Sequence, residues 1–235
     1  MNSNWLHRNN MLLGGDKSQR LSNANVLVVG LGGVGSWAAE MLCRSGVGAF
    51  TIVDADVVDV TNINRQMPAL HTTVGLPKCS VVADRMHAIN PRVRVTVKNM
   101  FIDESNIPQL LEEQKYDYVI DAIDTVNSKV ALIVACWERG IKIVSSMGAG
   151  AKKSLAQIET GSLWSSKQCT LAKNMRRLLR EYKGVYDLPV VYSCEPPMKS
   201  AIHPNPQGGK PLIGSIGYFT AVFGCYLAEY VINDI

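Results

Sequence analysis

The sequence predicts an α/β protein: a doubly wound, Rossmann-like, mostly parallel sheet with a C-terminal extension on the substrate side. Three observations predict it. Short continuous apolar runs alternate with stretches of helical periodicity over residues 25–150, the pattern of strand–helix–strand crossovers. A glycine-rich turn, Gly30-Leu-Gly32-Gly33-Val-Gly35, joins the first run to the first of these helices. The composition, 47% hydrophobic and 19% charged over 235 residues, is that of a chain able to bury a core without disulfides or metal.

Each element has its own signal. Asn25–Gly30 is a short apolar run ending in glycine, so it reads as a strand buried on both faces. Gly35–Ser45 carries apolar residues at helical spacing and stops before Gly46. Ala49–Asp54 is a second buried strand. Lys78–Ile89 is helical and stops before Asn90-Pro91, because a residue preceding proline disfavours the helical conformation. Arg92–Lys98 alternates strictly, a strand with one polar face. Glu104–Glu113 is a helix, Tyr116–Asp121 a strand, Val126–Arg139 a helix ending at Gly140, and Ile141–Ser145 a strand.

The chain is expected to form one domain: a helical segment over 1–24, a nucleotide-binding core over 25–150, and a substrate and dimer extension over 151–235. The extension holds a strand near Ala156–Thr160, a basic helix over Leu171–Tyr182, a Pro-rich stretch from Pro189 to Pro211, and an apolar helix. Residues Leu212–Ala228 carry no charge, yet glycines, Ser215 and Thr220 interrupt them, which favours a buried helix over a membrane span. The six cysteines form no C-x-x-C pair, which disfavours a four-cysteine zinc site and fits free thiols of a reducing compartment. Without a visible signal segment, the expected location is cytoplasmic. The net charge of +4 permits a polyanionic partner without requiring one.

Gly30, Gly32 and Gly35 satisfy G-x-G-x-x-G. The first allows a tight turn, the second lets backbone approach phosphate, and the third lets helix and strand pack closely. Asp54, at the end of the second strand, can hold ribose hydroxyls. A nicotinamide-linked dehydrogenase would follow from these two features alone, but three others argue against it. Asn62 and Arg65, in Thr61-Asn62-Ile-Asn64-Arg65-Gln66, are donors suited to phosphate oxygens. Lys78 opens a helix, where a cation opposes the dipole and calls for an anion. Asp124, beyond Asp121 at the end of the fourth strand, can hold Mg²⁺ with few protein ligands. In a parallel sheet these groups converge on one rim, and together they describe a nucleoside-triphosphate site.

Gly30-Leu-Gly-Gly-Val-Gly-Ser36, Asp54-Ala-Asp56, Asn62-Ile-Asn-Arg-Gln66, Gly75-Leu-Pro-Lys78 and Asp121-Ala-Ile-Asp124 resemble the ATP site of the ubiquitin-activating-like ThiF/MoeB/HesA superfamily. Within it, the chain is more similar to the branch that dehydrates threonylcarbamoyladenosine in tRNA. The closer marks are Pro68-Ala-Leu-His71, Lys129 in the helix after Asp124, and the basic helix.

The resemblance implies an ATP-dependent enzyme that adenylates the carboxylate of N6-threonylcarbamoyladenosine and cyclises it. It implies that Gly30, Gly32, Gly33, Gly35, Asp54, Asp56, Asn62, Gln66 and Asp121 bind ATP. Arg65 and Lys78 would act on the phosphates, Asp124 would hold Mg²⁺, and Arg8 would reach the triphosphate of a partner subunit in a homodimer. Lys173, Arg176, Arg177 and Arg180 would contact tRNA. A sulfur-transfer or redox protein would be a cooperating partner. The alternative within the superfamily is an adenylyltransferase acting on the C-terminus of a ubiquitin-like sulfur carrier; the missing paired zinc cysteines and the basic helix disfavour it. Relatives often carry a cysteine where Val190 stands here, so Cys194 is expected to be a packed thiol rather than a nucleophile.

Overall fold

The computed structural model describes residues 5–182, 187–206, 208–209 and 211–235; Lys183 and Lys210 lie outside them. Two short helices, α1 (His7–Leu13) and α2 (Gly15–Asn23), precede strand β1 (Asn25–Val29). There follow α3 (Gly35–Arg44), β2 (Ala49–Val53), α4 (Lys78–Ile89), β3 (Arg94–Lys98), α5 (Ile107–Glu112), β4 (Tyr118–Asp121), α6 (Val126–Glu138) and β5 (Ile143–Ser146). The extension adds β6 (Ile158–Ser162), α7 (Thr170–Leu179), β7 (Pro189–Ser193), a two-residue pair β8 (Ile202–His203) and β9 (Leu212–Ile213), and α8 (Gly217–Asp234).

The main sheet has seven strands in the order β3-β2-β1-β4-β5-β7-β6. Every pairing is parallel except β6 with β7. The strands are rich in β-branched residues, and the central ones are buried on both faces, as crossover helices require. One layer, formed by α3, α4 and α8, covers Val26, Val28, Ile52 and Ile120. The other, formed by α5, α6 and α7, covers Leu27, Val29, Val119 and Val190.

The extension is not the appendage that composition predicted. Pro189–Ser193, expected to be part of a Pro-rich stretch, is a strand inside the sheet. Val190 and Val191 are fully buried, and proline stands at the strand's first position, where its missing N–H is tolerated. The apolar C-terminal segment is a buried helix beginning at Gly217 rather than Leu212. It approaches α3 so closely at Gly224 that an added Cβ would lie 2.6 Å from the Val34 carbonyl oxygen. Among the described residues no helix is long and apolar enough to cross a membrane.

Candidate nucleotide site and its family

The strand order reverses between β1 and β4, the place where doubly wound sheets open a crevice. Val29 lies between Val53 and Asp121 in register, so three strand ends form one rim. Gly30 turns there with φ +90°, and a Cβ on it would sit 2.7 Å from the Ala122 carbonyl oxygen. A Cβ on Gly35 would collide with the Gly30 carbonyl oxygen. A Cβ on Gly32, by contrast, would meet only Gln66 Nε2, at 3.9 Å. The turn is therefore packed at Gly30 and Gly35 and open at Gly32, where backbone N–H groups and the α3 N-terminus can receive an anion.

Asp54 shapes this turn. One carboxylate oxygen accepts the Leu31 N–H at 2.7 Å and the other accepts the Asp56 N–H at 2.8 Å. Each oxygen retains a lone pair for a ribose hydroxyl. Lys78 is buried at the start of α4, and its Nζ is 2.7 Å from the exposed carboxylate of Asp56. The anion demanded by a cation at a helix N-terminus is thus supplied by Asp56.

The Asn62–Gln66 loop abuts the glycine turn. A Cβ on Gly33 would lie 3.4 Å from the Arg65 carbonyl oxygen and 3.1 Å from Thr220 Oγ1. The Arg65 guanidinium donates to the Thr61 carbonyl and to Asn64 Oδ1, both at 2.9 Å. Gln66 is 9% exposed and its Oε1 is buried without a hydrogen-bond partner. A buried amide oxygen left unpaired beside an open glycine turn is what a nucleotide donor would satisfy. The residues present therefore fit a nucleoside triphosphate. Asp124 is exposed, two residues beyond Ala122, whose carbonyl abuts Gly30. A lone carboxylate completed by phosphate oxygens and water fits Mg²⁺; among the described residues no cluster of three metal-ligating side chains occurs.

Two expectations need correction. Asp121 does not face a ligand: it is fully buried, paired with Lys129 at 2.8 Å, and accepts from Ser145 Oγ at 2.6 Å and from the Ile123 N–H at 3.1 Å. Lys129 in turn donates to the Ile123 carbonyl at 3.0 Å, so the pair grips the backbone of Ile123, the residue before Asp124, on both sides. Asn62 turns its side-chain oxygen to the Asp59 N–H in a reciprocal cap of a short helical turn, which fixes the loop while its side-chain amide N–H groups take no part in that cap. Arg176 does not share an outer face with Lys173 and Arg180. It folds inward onto the Leu163 carbonyl at 3.1 Å and the Ser166 carbonyl at 2.9 Å. Lys173, Arg177 and Arg180, at i, i+4 and i+7, form the exposed basic face instead. The segment that carries Arg8 lies away from the glycine turn of its own subunit. Leu6 packs at Gly46, and Asn9 donates to the Arg44 carbonyl, at the far end of α3 from the glycine turn.

Val190 is buried in β7, and Cys194 follows the strand half-buried. Burial, reinforced by the neighbouring Glu159 carboxylate, raises the Cys194 thiol above its ordinary range, which disfavours the nucleophilic thiolate.

A doubly wound sheet whose switch point carries a glycine turn open at Gly32 and an aspartate at the end of the neighbouring strand has the form of a nucleotide-binding fold. The chain belongs to the ThiF family, whose model matches residues 6–235. The tRNA threonylcarbamoyladenosine dehydratase of Escherichia coli K12 is 46% identical over 73% of the chain, a match that spans 64% of that protein's length. The protein of that name from Haemophilus influenzae is 36% identical over 94% of the chain and 88% of its own length. The crystal structure of the E. coli enzyme, TcdA, in complex with ATP superposes with a TM-score of 0.88 at 38% identity, covering 97% of this chain and 91% of that one.

Proposed function

We propose that the protein is an ATP-dependent tRNA threonylcarbamoyladenosine dehydratase. What supports this reading is a glycine turn whose Leu31 N–H is held by Asp54, with the Arg65 backbone against Gly33 and Lys78 paired to Asp56 nearby in sequence, in a chain similar along most of its length to dehydratases so named.

A carboxylate resists substitution because oxide is a poor leaving group. The threonine carboxylate of the modified adenosine attacks the α-phosphorus of ATP, and the bond to the pyrophosphate oxygen breaks. The ureido nitrogen of the modification, losing its proton, then attacks the acyl carbon, and AMP leaves with its oxygen. The sum is loss of one water at the expense of ATP. No enzymic nucleophile is needed, consistent with the protonated Cys194.

The chain supplies position and charge. Asp54 holds the ribose, the glycine turn and α3 receive phosphate, and Gln66 offers its unpaired oxygen. Arg65 and Lys78 offset charge that grows on the departing pyrophosphate. Asp124 holds Mg²⁺, which would add further charge neutralisation on the phosphates. Arg8 of the partner subunit completes the cationic set in a homodimer, because the Arg8 of the same chain sits at the wrong end of α3. The Lys173, Arg177 and Arg180 face receives tRNA phosphates. Arg65→Ala and Asp124→Ala should each abolish release of AMP and pyrophosphate while the fold survives; undiminished turnover in both would overturn the site assignment.

A further inference from the structure

Three segments of the extension meet at Lys152, a buried lysine that the reaction above does not use. Its Nζ donates to the Ser193 carbonyl at 2.8 Å, at the end of β7, and to the Gln168 carbonyl at 2.9 Å, just before α7. Apart from glycines, the positive-φ residues among the described ones are Ala151 at 58° and Gln168 at 51°. One precedes Lys152 and the other supplies its acceptor, so backbone strain is held at both ends of the same bond. A second tie runs parallel to it: Cys169 Sγ accepts the Gly148 N–H at 3.3 Å and the Ala172 N–H at 3.4 Å. Burial lowers the Lys152 ammonium from its ordinary range. A neutral amine still has two N–H donors for the two carbonyls.

The loop that carries Lys152 also touches the nucleotide rim. The Ala151 N–H donates to the Gly214 carbonyl at 2.8 Å, and Tyr218 Oη donates to the Lys153 carbonyl at 2.9 Å. Asn64, beside Arg65, donates to the Ser215 carbonyl at 2.9 Å. A continuous set of bonds thus runs from α7 through Lys152 to the Arg65 loop.

We propose that Lys152 is a positioning residue: it fixes α7, with its basic face of Lys173, Arg177 and Arg180, against the nucleotide rim, so that tRNA held on α7 presents its modified base to the adenylating site. The proposal rests on the dehydratase reading for its tRNA part and on geometry alone for the tether.

The test compares full-length wild type with Lys152→Met, which keeps length and removes both donors. Hydrogen–deuterium exchange should quicken about tenfold in α7 and stay unchanged in α4, because only the tethered helix loses its anchor. The KM for tRNA should rise about tenfold while ATP affinity stays within about twofold, since the ATP groups are untouched. Lys152→Gln, whose amide offers two N–H donors on a shorter arm, should recover part of the loss, and it carries the comparison if Lys152→Met does not accumulate as folded protein. Unchanged α7 exchange, or equal losses in ATP and tRNA binding, would overturn the tether. A wild-type protein that leaves tRNA unaltered would instead overturn the dehydratase reading, with the exchange result still deciding the tether.

Discussion

Lys129→Met isolates the buried ion pair that holds Ile123, the residue before Asp124. Lys129 and Asp121 are both 0% exposed and 2.8 Å apart, so neither has water to fall back on. Two losses follow. The bond from Nζ to the Ile123 carbonyl accounts for about 1 kcal/mol. The carboxylate left without its cation accounts for about 3–5 kcal/mol, because a buried charge is costly once unpaired. The second effect dominates, so urea titration should report a loss of about 3–5 kcal/mol. Adding Asp121→Asn to that variant removes the stranded charge, keeps Oδ1 as acceptor for the Ile123 N–H, and sets an amide N–H against the Ser145 hydroxyl, which can accept instead of donate. The double variant should therefore be more stable than Lys129→Met alone by about 2 kcal/mol. ATP-dependent pyrophosphate release should fall in both, because Ile123 loses the grip on its carbonyl. A single-variant loss below about 1 kcal/mol, with no recovery in the double, would refute the claim that an uncompensated carboxylate governs this site.

Further expected outcomes concern the turn, an ion-pair set around the buried Glu40 and the basic helix. Gly35→Ala should abolish ATP binding measured by calorimetry, because its Cβ meets the Gly30 carbonyl and can be accommodated only by opening the turn. Burial raises the Glu40 carboxyl, but hydrogen bonds from Arg85 and Arg44 outweigh it and hold the group below its ordinary 4.5. Its stabilisation is therefore complete above that value and is lost as pH falls through the lower folded value. Glu40→Gln should be less stable than wild type at neutral pH, with the difference shrinking in acid-unfolding curves. Arg177→Ala should weaken tRNA binding and reduce the slope of log K against log salt by about one, whereas Arg176→Ala should cost stability and leave that slope nearly unchanged.

Much of the core was legible because its signals are local. The apolar runs at Asn25 and Ala49, and the helix from Lys78 to the residue before Asn90, stand where periodicity and Asn90-Pro91 put them. The glycine turn was legible because each glycine has a steric reason on a strand-to-helix turn. What was not legible depends on long-range packing. β7 was hidden because Pro189 and the following prolines dominated the composition, though Val190-Val191-Tyr192 carries a strand's β-branched and aromatic signal. Asp121 looked like a ligand because sequence gives no depth. The clue was Lys129 inside an otherwise apolar helix, which needed a buried counter-ion. Arg176 was assigned by helical spacing, but its partners Leu163 and Ser166 belong to a segment that only the tertiary fold brings near. Lys152 gave no sign at all, because both its acceptors are backbone carbonyls, which any residue could supply.

The most direct measurement incubates the purified protein with ATP and tRNA carrying threonylcarbamoyladenosine, then weighs the modified nucleoside by mass spectrometry. The account predicts that the nucleoside lightens by the mass of one water, only with ATP present, and that one AMP appears for each nucleoside changed. An unchanged nucleoside, or a lightened one without ATP consumption, would contradict it.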